Sequence, residues 1–341
     1  MRWGLVASLA VFVLAVPSAS AAPPQRFLLT LSRDIGGQQA PRLVLVDRSG
    51  ALVRRIGDAG YVAVAGKWSP DGSTIAWSDP AGVHVENADG TNARLLVPFV
   101  PGCNTSCTQP SFIWTPDGTA LDVGGVGQQT NELLYVPLDG APPSPLEPTR
   151  SWSNPVPAEW TTGGRSFVWS NLAGDTGTSS CCRYSIFETT AATHKTRTLF
   201  TTLNWHGILA PVISPDGRER LMFDEATKPG EWKGYRLRVV DNTTGKSRLL
   251  GVTGAMSDVR WSPDGRTIAA VLSGARVVTV PSAGGRIRAI GRGLGVVWGR
   301  DGTLYVLRNT WTEVWTSWNG APERFLFRAP GRLEVYGLDA D

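Results

Sequence analysis

The stretch Trp68-Ser69-Pro70-Asp71-Gly72 decides how the rest of this 341-residue chain is read. Pro presets φ for the second position of a turn, and Asp accepts N–H groups close by in sequence. Gly then takes the positive φ that sends the chain back along itself. The tract is therefore a tight hairpin, entered by a large aromatic. It returns as Trp114-Thr115-Pro116-Asp117-Gly118, Ile213-Ser214-Pro215-Asp216-Gly217 and Trp261-Ser262-Pro263-Asp264-Gly265. Two decayed copies are Trp160-Thr161-Thr162-Gly163-Gly164 and Trp298-Gly299-Arg300-Asp301-Gly302. Successive copies start 46, 46, 53, 48 and 37 residues apart, a mean of 46. That period suits one four-stranded sheet per repeat, the blade of a β-propeller.

The segments between tracts agree. Each tract precedes an apolar strand, such as Thr74–Ser78 or Thr267–Leu272. A second strand follows and ends in another Gly turn, such as Asn87-Ala88-Asp89-Gly90 or Ala283-Gly284-Gly285. A short closing strand completes the repeat, such as Arg94–Val97 or Arg248–Leu250. No segment has the spacing of a long amphipathic helix. The fold class is all-β.

These tracts resemble the PD40-type repeats of TolB-like β-propellers, related in architecture to WD40 propellers. The resemblance spans nearly all of residues 26–341 and implies a fold, since the motif residues are turn and packing residues. Six-bladed rings are common in that family. Counting strands favours seven here. Three strands precede the first tract (Phe27–Leu31, Arg42–Asp47, Leu52–Ile56) and one, Arg332–Leu338, follows the sixth repeat. Together they would make a seventh sheet, with the ring closed by both ends of the chain.

Composition bounds the rest. Gly (39) and Pro (24) exceed the globular average without reaching disordered or collagen-like levels. Formal charge is +4, but no basic run exceeds Arg54–Arg55, so the clustering that marks nucleic-acid binding is missing. At the start, Arg2 precedes the apolar run Gly4–Val16, then Pro17 and Ser18-Ala19-Ser20-Ala21. This is the pattern of a secretory signal peptide, shorter than a bilayer span. Cleavage after Ala21 is expected, leaving residues 22–341 as one propeller domain without a membrane span, a monomer exported to the periplasm, cell envelope or medium. An uncleaved anchor is the alternative.

Asp71, Asp117, Asp216, Asp264 and Asp301 invite a catalytic or metal reading, yet each belongs to a separate turn around a ring. They read as turn residues, and Trp68, Trp114, Trp160, Trp261 and Trp298 as packing between blades. In a propeller, both turn series fall on one face. Irregularity concentrates on the other. Pro98–Gln109 holds Cys103 and Cys107, and Asn171–Arg183 holds Cys181 and Cys182. Leu203–Ile208 holds Trp205 and His206, Glu225–Gly234 holds Trp232, and Arg308–Thr312 holds Trp311. Function tends to sit in loops on a rigid scaffold, so this face is the candidate site.

An exported chain with four cysteines is expected to oxidise them, with three pairings open. Cys103–Cys107 together with the vicinal pair Cys181–Cys182 is preferred over cross-pairing of the two loops. His84 and His194 read as structural or solvated; only His206 could join a site. The chain contains no G-x-S-x-G elbow, P-loop or G-x-G-x-x-G motif, and no cofactor or metal is implied. The sequence thus points to a non-catalytic scaffold binding an envelope or extracellular protein, peptide or glycan. Trp152, Trp205, Trp232 and Trp311 are the contact aromatics, with His206 among them. A hydrolase or lyase acting in the central funnel is the alternative.

Overall fold

A computed structural model describes residues 26–32, 34–35, 38–39, 42–57, 65–98, 111–124, 133–147, 155–161, 164–173, 183–193, 195–202, 213–228, 231–308, 312–317, 323–332 and 334–340. They form a seven-bladed propeller of antiparallel sheets. Blade 1 comprises Ala65–Trp68, Thr74–Asp79, Gly82–Asn87 and Arg94–Pro98, from the inner strand outward. Blade 2 (Ser111–Trp114 to Ser144–Glu147) and blade 3 (Pro155–Trp160 to Thr196–Thr202) repeat this order. So do blade 5 (Met256–Trp261 to Arg288–Arg292) and blade 6 (Gly295–Trp298 to Arg324–Arg328). Blade 4 has three strands from Glu219–Lys228 to Ser247–Gly254, and a single bridge from Ile213 to Arg220 marks its innermost position.

Blade 7 is the seam. Glu334–Ala340 is its inner strand, followed outward by Arg26–Ser32, Arg42–Asp47 and Leu52–Ile56. Phe27 pairs with Ala340 and Leu29 with Leu338. The expected closure by three N-terminal strands and one C-terminal strand is thus found, and the count is seven.

Packing confirms the ring independently of strand pairing. Among the described residues the core falls into seven clusters, one at each junction. Tyr305, Leu307 and Phe327 of blade 6 pack with Phe27, Leu29 and Val335 of blade 7. Leu28, Leu43 and Leu45 of blade 7 pack with Trp68, Ile75 and Trp77 of blade 1. The remaining five clusters join blades 1 and 2, 2 and 3, 3 and 4, 4 and 5, and 5 and 6. Strands buried on both faces read as near-continuous apolar runs, which explains why Thr267–Leu272 shows little alternation.

Five of the six repeated turns are held by their own aspartate, the blade 3 tract having none. Asp71 Oδ1 accepts from the Ser69 hydroxyl at 2.5 Å and the Ser73 N–H at 3.0 Å. Asp117, Asp216 and Asp264 repeat both bonds, and Asp301 accepts the N–H and hydroxyl of Thr303. These donors hold Asp71 down at about 2, the Ser69 hydroxyl contributing most. Successive turns also touch. A methyl placed on Gly118 would lie 3.5 Å from Pro70, one on Gly164 3.3 Å from Pro116, and one on Gly265 3.6 Å from Pro215. The proline of one blade therefore rests on the glycine of the next, a second reason for the tract's composition.

Candidate functional site

Strand alternation places every Pro-Asp-Gly turn on one face, together with the Gly turns between the two outer strands. The connections on the opposite face are unequal. In blade 5 the second and third strands are six residues each and join through a short turn. In blade 4 the corresponding strands, Glu219–Lys228 and Glu231–Asp241, run to 10 and 11 residues. Their register continues through Glu225↔Tyr235 and Thr227↔Trp232 to Lys228↔Glu231. Four to five extra residues project this hairpin by about 15 Å at roughly 3.3 Å per residue. The segment Glu225–Gly234, expected as a loop, is thus mostly strand. The dipeptide Pro229-Gly230 is a turn signal that would have revealed it.

Blade 3 behaves similarly. Ser166–Ala173 and Arg183–Thr190 are eight residues each, paired out to Ala173↔Arg183. Blade 7 adds a small hairpin, Asp34–Ile35 with Gln38–Gln39, on the same face. Two long hairpins from adjacent blades therefore rise over this face.

The backbone of Trp232 sits one pair short of the last described pair in the blade 4 hairpin. Trp152, Trp205, His206 and Trp311 lie outside the described residues, as do Cys103, Cys107, Cys181 and Cys182. Trp152 belongs to the connection between blades 2 and 3, Cys103 and Cys107 to that between blades 1 and 2, and Trp205 and His206 to that between blades 3 and 4. Cys181 and Cys182 belong to the blade 3 hairpin, and Trp311 to the corresponding connection of blade 6. All of these connections join strand ends on the irregular face.

His84 has a structural role. Its ring stacks on Trp77 at 4.0 Å and 5°, and Nε2 lies 2.9 Å from Asp79 Oδ1. The same oxygen accepts the N–H groups of Ala81 and Gly82, fixing the blade 1 turn. His194 lies outside the described residues. Among the described residues no group of three or more His, Cys, Asp or Glu converges as a metal site. Nor is any described helix long and apolar enough to cross a membrane.

Three features were not read from the sequence. An arginine on the outer strand reaches the next blade's turn at several junctions: Arg54 to the Asn87 and Ala88 carbonyls, Arg94 to the Leu138 carbonyl, and Arg248 to the Ser282 carbonyl at 2.7 Å. Arg248 also grips both carboxylate oxygens of Glu219. The arginines heading the closing strands were visible, but their reach across junctions depends on blade geometry.

The second is Asp122, fully buried on the second strand of blade 2 between Ile113 and Tyr135. Neither carboxylate oxygen, nor the indole N–H of Trp160 across the junction, makes a hydrogen bond among the described residues. Burial pushes Asp122 up to about 7, against a smaller opposing pull from Trp160.

The third is a pair of clefts on the turn face. One, of about 570 Å³ between blades 2 and 3, is lined by Tyr135, Leu146, Trp160 and Phe167. The other, of about 520 Å³ between blades 5 and 6, is lined by Arg286, Arg288, Arg300 and Trp298. Each precedes a blade whose tract has decayed. Trp160 and Trp298 are only partly buried, whereas Trp68, Trp114 and Trp261 are buried.

No family model and no curated protein matches the chain. Solved structures do. A manganese complex of an oligogalacturonate lyase superposes with a TM-score of 0.61 at 12% identity, covering 89% of this chain and 85% of that one. A protein described as TolB from Agrobacterium tumefaciens gives 0.51 at 15% identity, covering 82% and 95%. A puromycin-hydrolysing peptidase from Mycobacterium tuberculosis gives 0.62 at 13% identity over 88% of this chain, which spans about half of that enzyme (53%). The chain has a β-propeller fold. Its seven-bladed architecture is similar to the TolB-like propellers.

Proposed function

We propose that this chain is an exported, non-catalytic propeller that binds a protein, peptide or glycan of the envelope or extracellular space on its irregular face. Signal cleavage after Ala21 would release residues 22–341 as one domain. The observation that carries the reading is the pair of lengthened hairpins from blades 3 and 4, raised on the face that receives the irregular connections. Trp152, Trp205, Trp232 and Trp311, with His206, are the contact side chains, since tryptophan dominates binding energy at recognition surfaces. Oxidation of Cys103 with Cys107, and of Cys181 with Cys182, would rigidify two of these segments; four free thiols on peptide mapping would defeat that part.

The test is capture from envelope extracts, run beside a glycan array, with the parent chain and Trp205→Ala and Trp232→Ala variants. A partner lost with the tryptophans supports the reading. Capture unaffected by either substitution overturns the site. A second reading, a hydrolase or lyase in the central funnel, draws on the lyase and peptidase among the structural neighbours. Turnover of oligogalacturonate or a peptide substrate would favour it.

A further inference from the structure

On the turn face, opposite the proposed partner surface, the cleft between blades 5 and 6 differs from that between blades 2 and 3 in lacking the proline–glycine contact and in its arginines. Pro70, Pro116 and Pro215 each rest on the glycine of the next tract, whereas a methyl on Gly302 would meet nothing within 4 Å. The contact expected from Pro263 is missing, and the junction stands open. Its floor is apolar, with Val280, Ile290 and Leu304 buried. One wall is Trp298, whose indole N–H donates to the Arg260 carbonyl at 3.3 Å, fixing the ring in place.

The charges of the cleft are unevenly committed. Asp264 accepts from the Ser262 hydroxyl and the Arg266 N–H, and Asp301 from the N–H and hydroxyl of Thr303. Both acids serve their own turns. Arg300 is spent on the carbonyls of Trp68, Ser69 and Pro70, at 2.7–3.2 Å. The side chains of Arg286 and Arg288 remain, both exposed, with no ion pair or side-chain hydrogen bond among the described residues. The charge left for a ligand is positive. It sits beside a fixed aromatic wall in a volume typical of small-molecule sites.

We infer that this cleft binds a small carboxylate ligand with a flat or ring-shaped body. The carboxylate would be held by Arg286 and Arg288, since guanidinium matches carboxylate geometry, and the body would lie against Trp298. Two sources share this chemistry, an aromatic peptide C-terminus and an acidic sugar, and N-acetylphenylalanine and glucuronate stand for them.

Calorimetric titration of the full chain tests the site, with binding near millimolar expected for ligands of this size. Saturable binding of either probe supports it and identifies the source. Replacing both Arg286 and Arg288 by Ser should weaken binding about tenfold or more. Trp298→Phe, which keeps a ring in the wall, should weaken it less. Trp205→Ala, in the sequence connecting blades 3 and 4, should leave it unchanged. The inference falls if neither probe binds, if the double variant binds as the parent does, if inorganic phosphate competes as strongly as the ring carboxylates, or if Trp205→Ala abolishes binding.

Discussion

Asp339 Oδ2 accepts the backbone N–H of Trp68 at 2.8 Å, joining the last strand of the chain to the inner strand of blade 1. Asp258 and Val296 form the same bond between blades 5 and 6, at 3.0 Å. The Asp339 carboxyl is desolvated, and burial raises its pKa against the pull of Trp68, Lys67 and Arg300. Asp339→Ala should leave the Trp68 N–H unpaired and cost about 1–3 kcal/mol. Asp339→Asn keeps an acceptor and should cost much less. Denaturant melts of the two variants check the difference.

Asp122 makes stability depend on pH. The unfolded chain releases this proton near 3.8, while the folded chain keeps it to about 7. Its contribution is therefore full below pH 3.8 and is lost as pH rises through about 7. The loss is of order 4 kcal/mol at most, by linkage. Asp122→Asn, which cannot ionise, should be more stable than the parent at pH 8 and flatten the profile between pH 4 and 8. Urea midpoints across that range decide it; parallel profiles for the two proteins would refute the assignment.

Two glycines with similar backbone angles should respond differently to alanine. Gly217 (φ +72°) faces Thr161, whose methyl would lie 2.2 Å from the new carbon. Gly302 (φ +82°) faces open space. Gly302→Ala should cost only backbone strain, about 1 kcal/mol. Gly217→Ala adds steric overlap of about 1–3 kcal/mol. Thermal melts should rank them in that order.

Arg248 holds Glu219 in its own blade and the Ser282 carbonyl in the next. Arg248→Ala should destabilise the chain by about 1–2 kcal/mol, since charge-assisted bonds are lost from a partly exposed site. Arg248→Lys should recover only part, because ammonium cannot serve the three acceptor atoms in one plane. A double-mutant cycle with Glu219→Gln separates the ion pair from the junction contact.

Much of this architecture is written locally. A Pro-Asp-Gly turn is determined by its own residues, so the tracts marked the inner strands and the leftover strands predicted the seam. Contacts between repeats are less legible. Asp122 looks like any strand residue until Trp160 and Tyr135 surround it, and Arg286 looks like any surface arginine until Trp298 and Arg288 join it in one cleft. The blade 4 hairpin is readable from Pro229-Gly230, although Glu225–Gly234 reads as one of the irregular connections of that face.

The pairing of Phe27 with Ala340 also bears on how the protein is made. Blades 1 to 6 each draw their described strands from one continuous stretch of chain and can condense in order. The three N-terminal strands of blade 7 cannot complete their sheet until Glu334–Ala340 joins them. Until then an edge of blade 7 and apolar side chains such as Phe27 and Leu29 remain uncovered, surfaces of the kind that chaperones hold and proteases sample. Without Glu334–Ala340, blade 7 would lack its inner strand and the ring would stay unclasped.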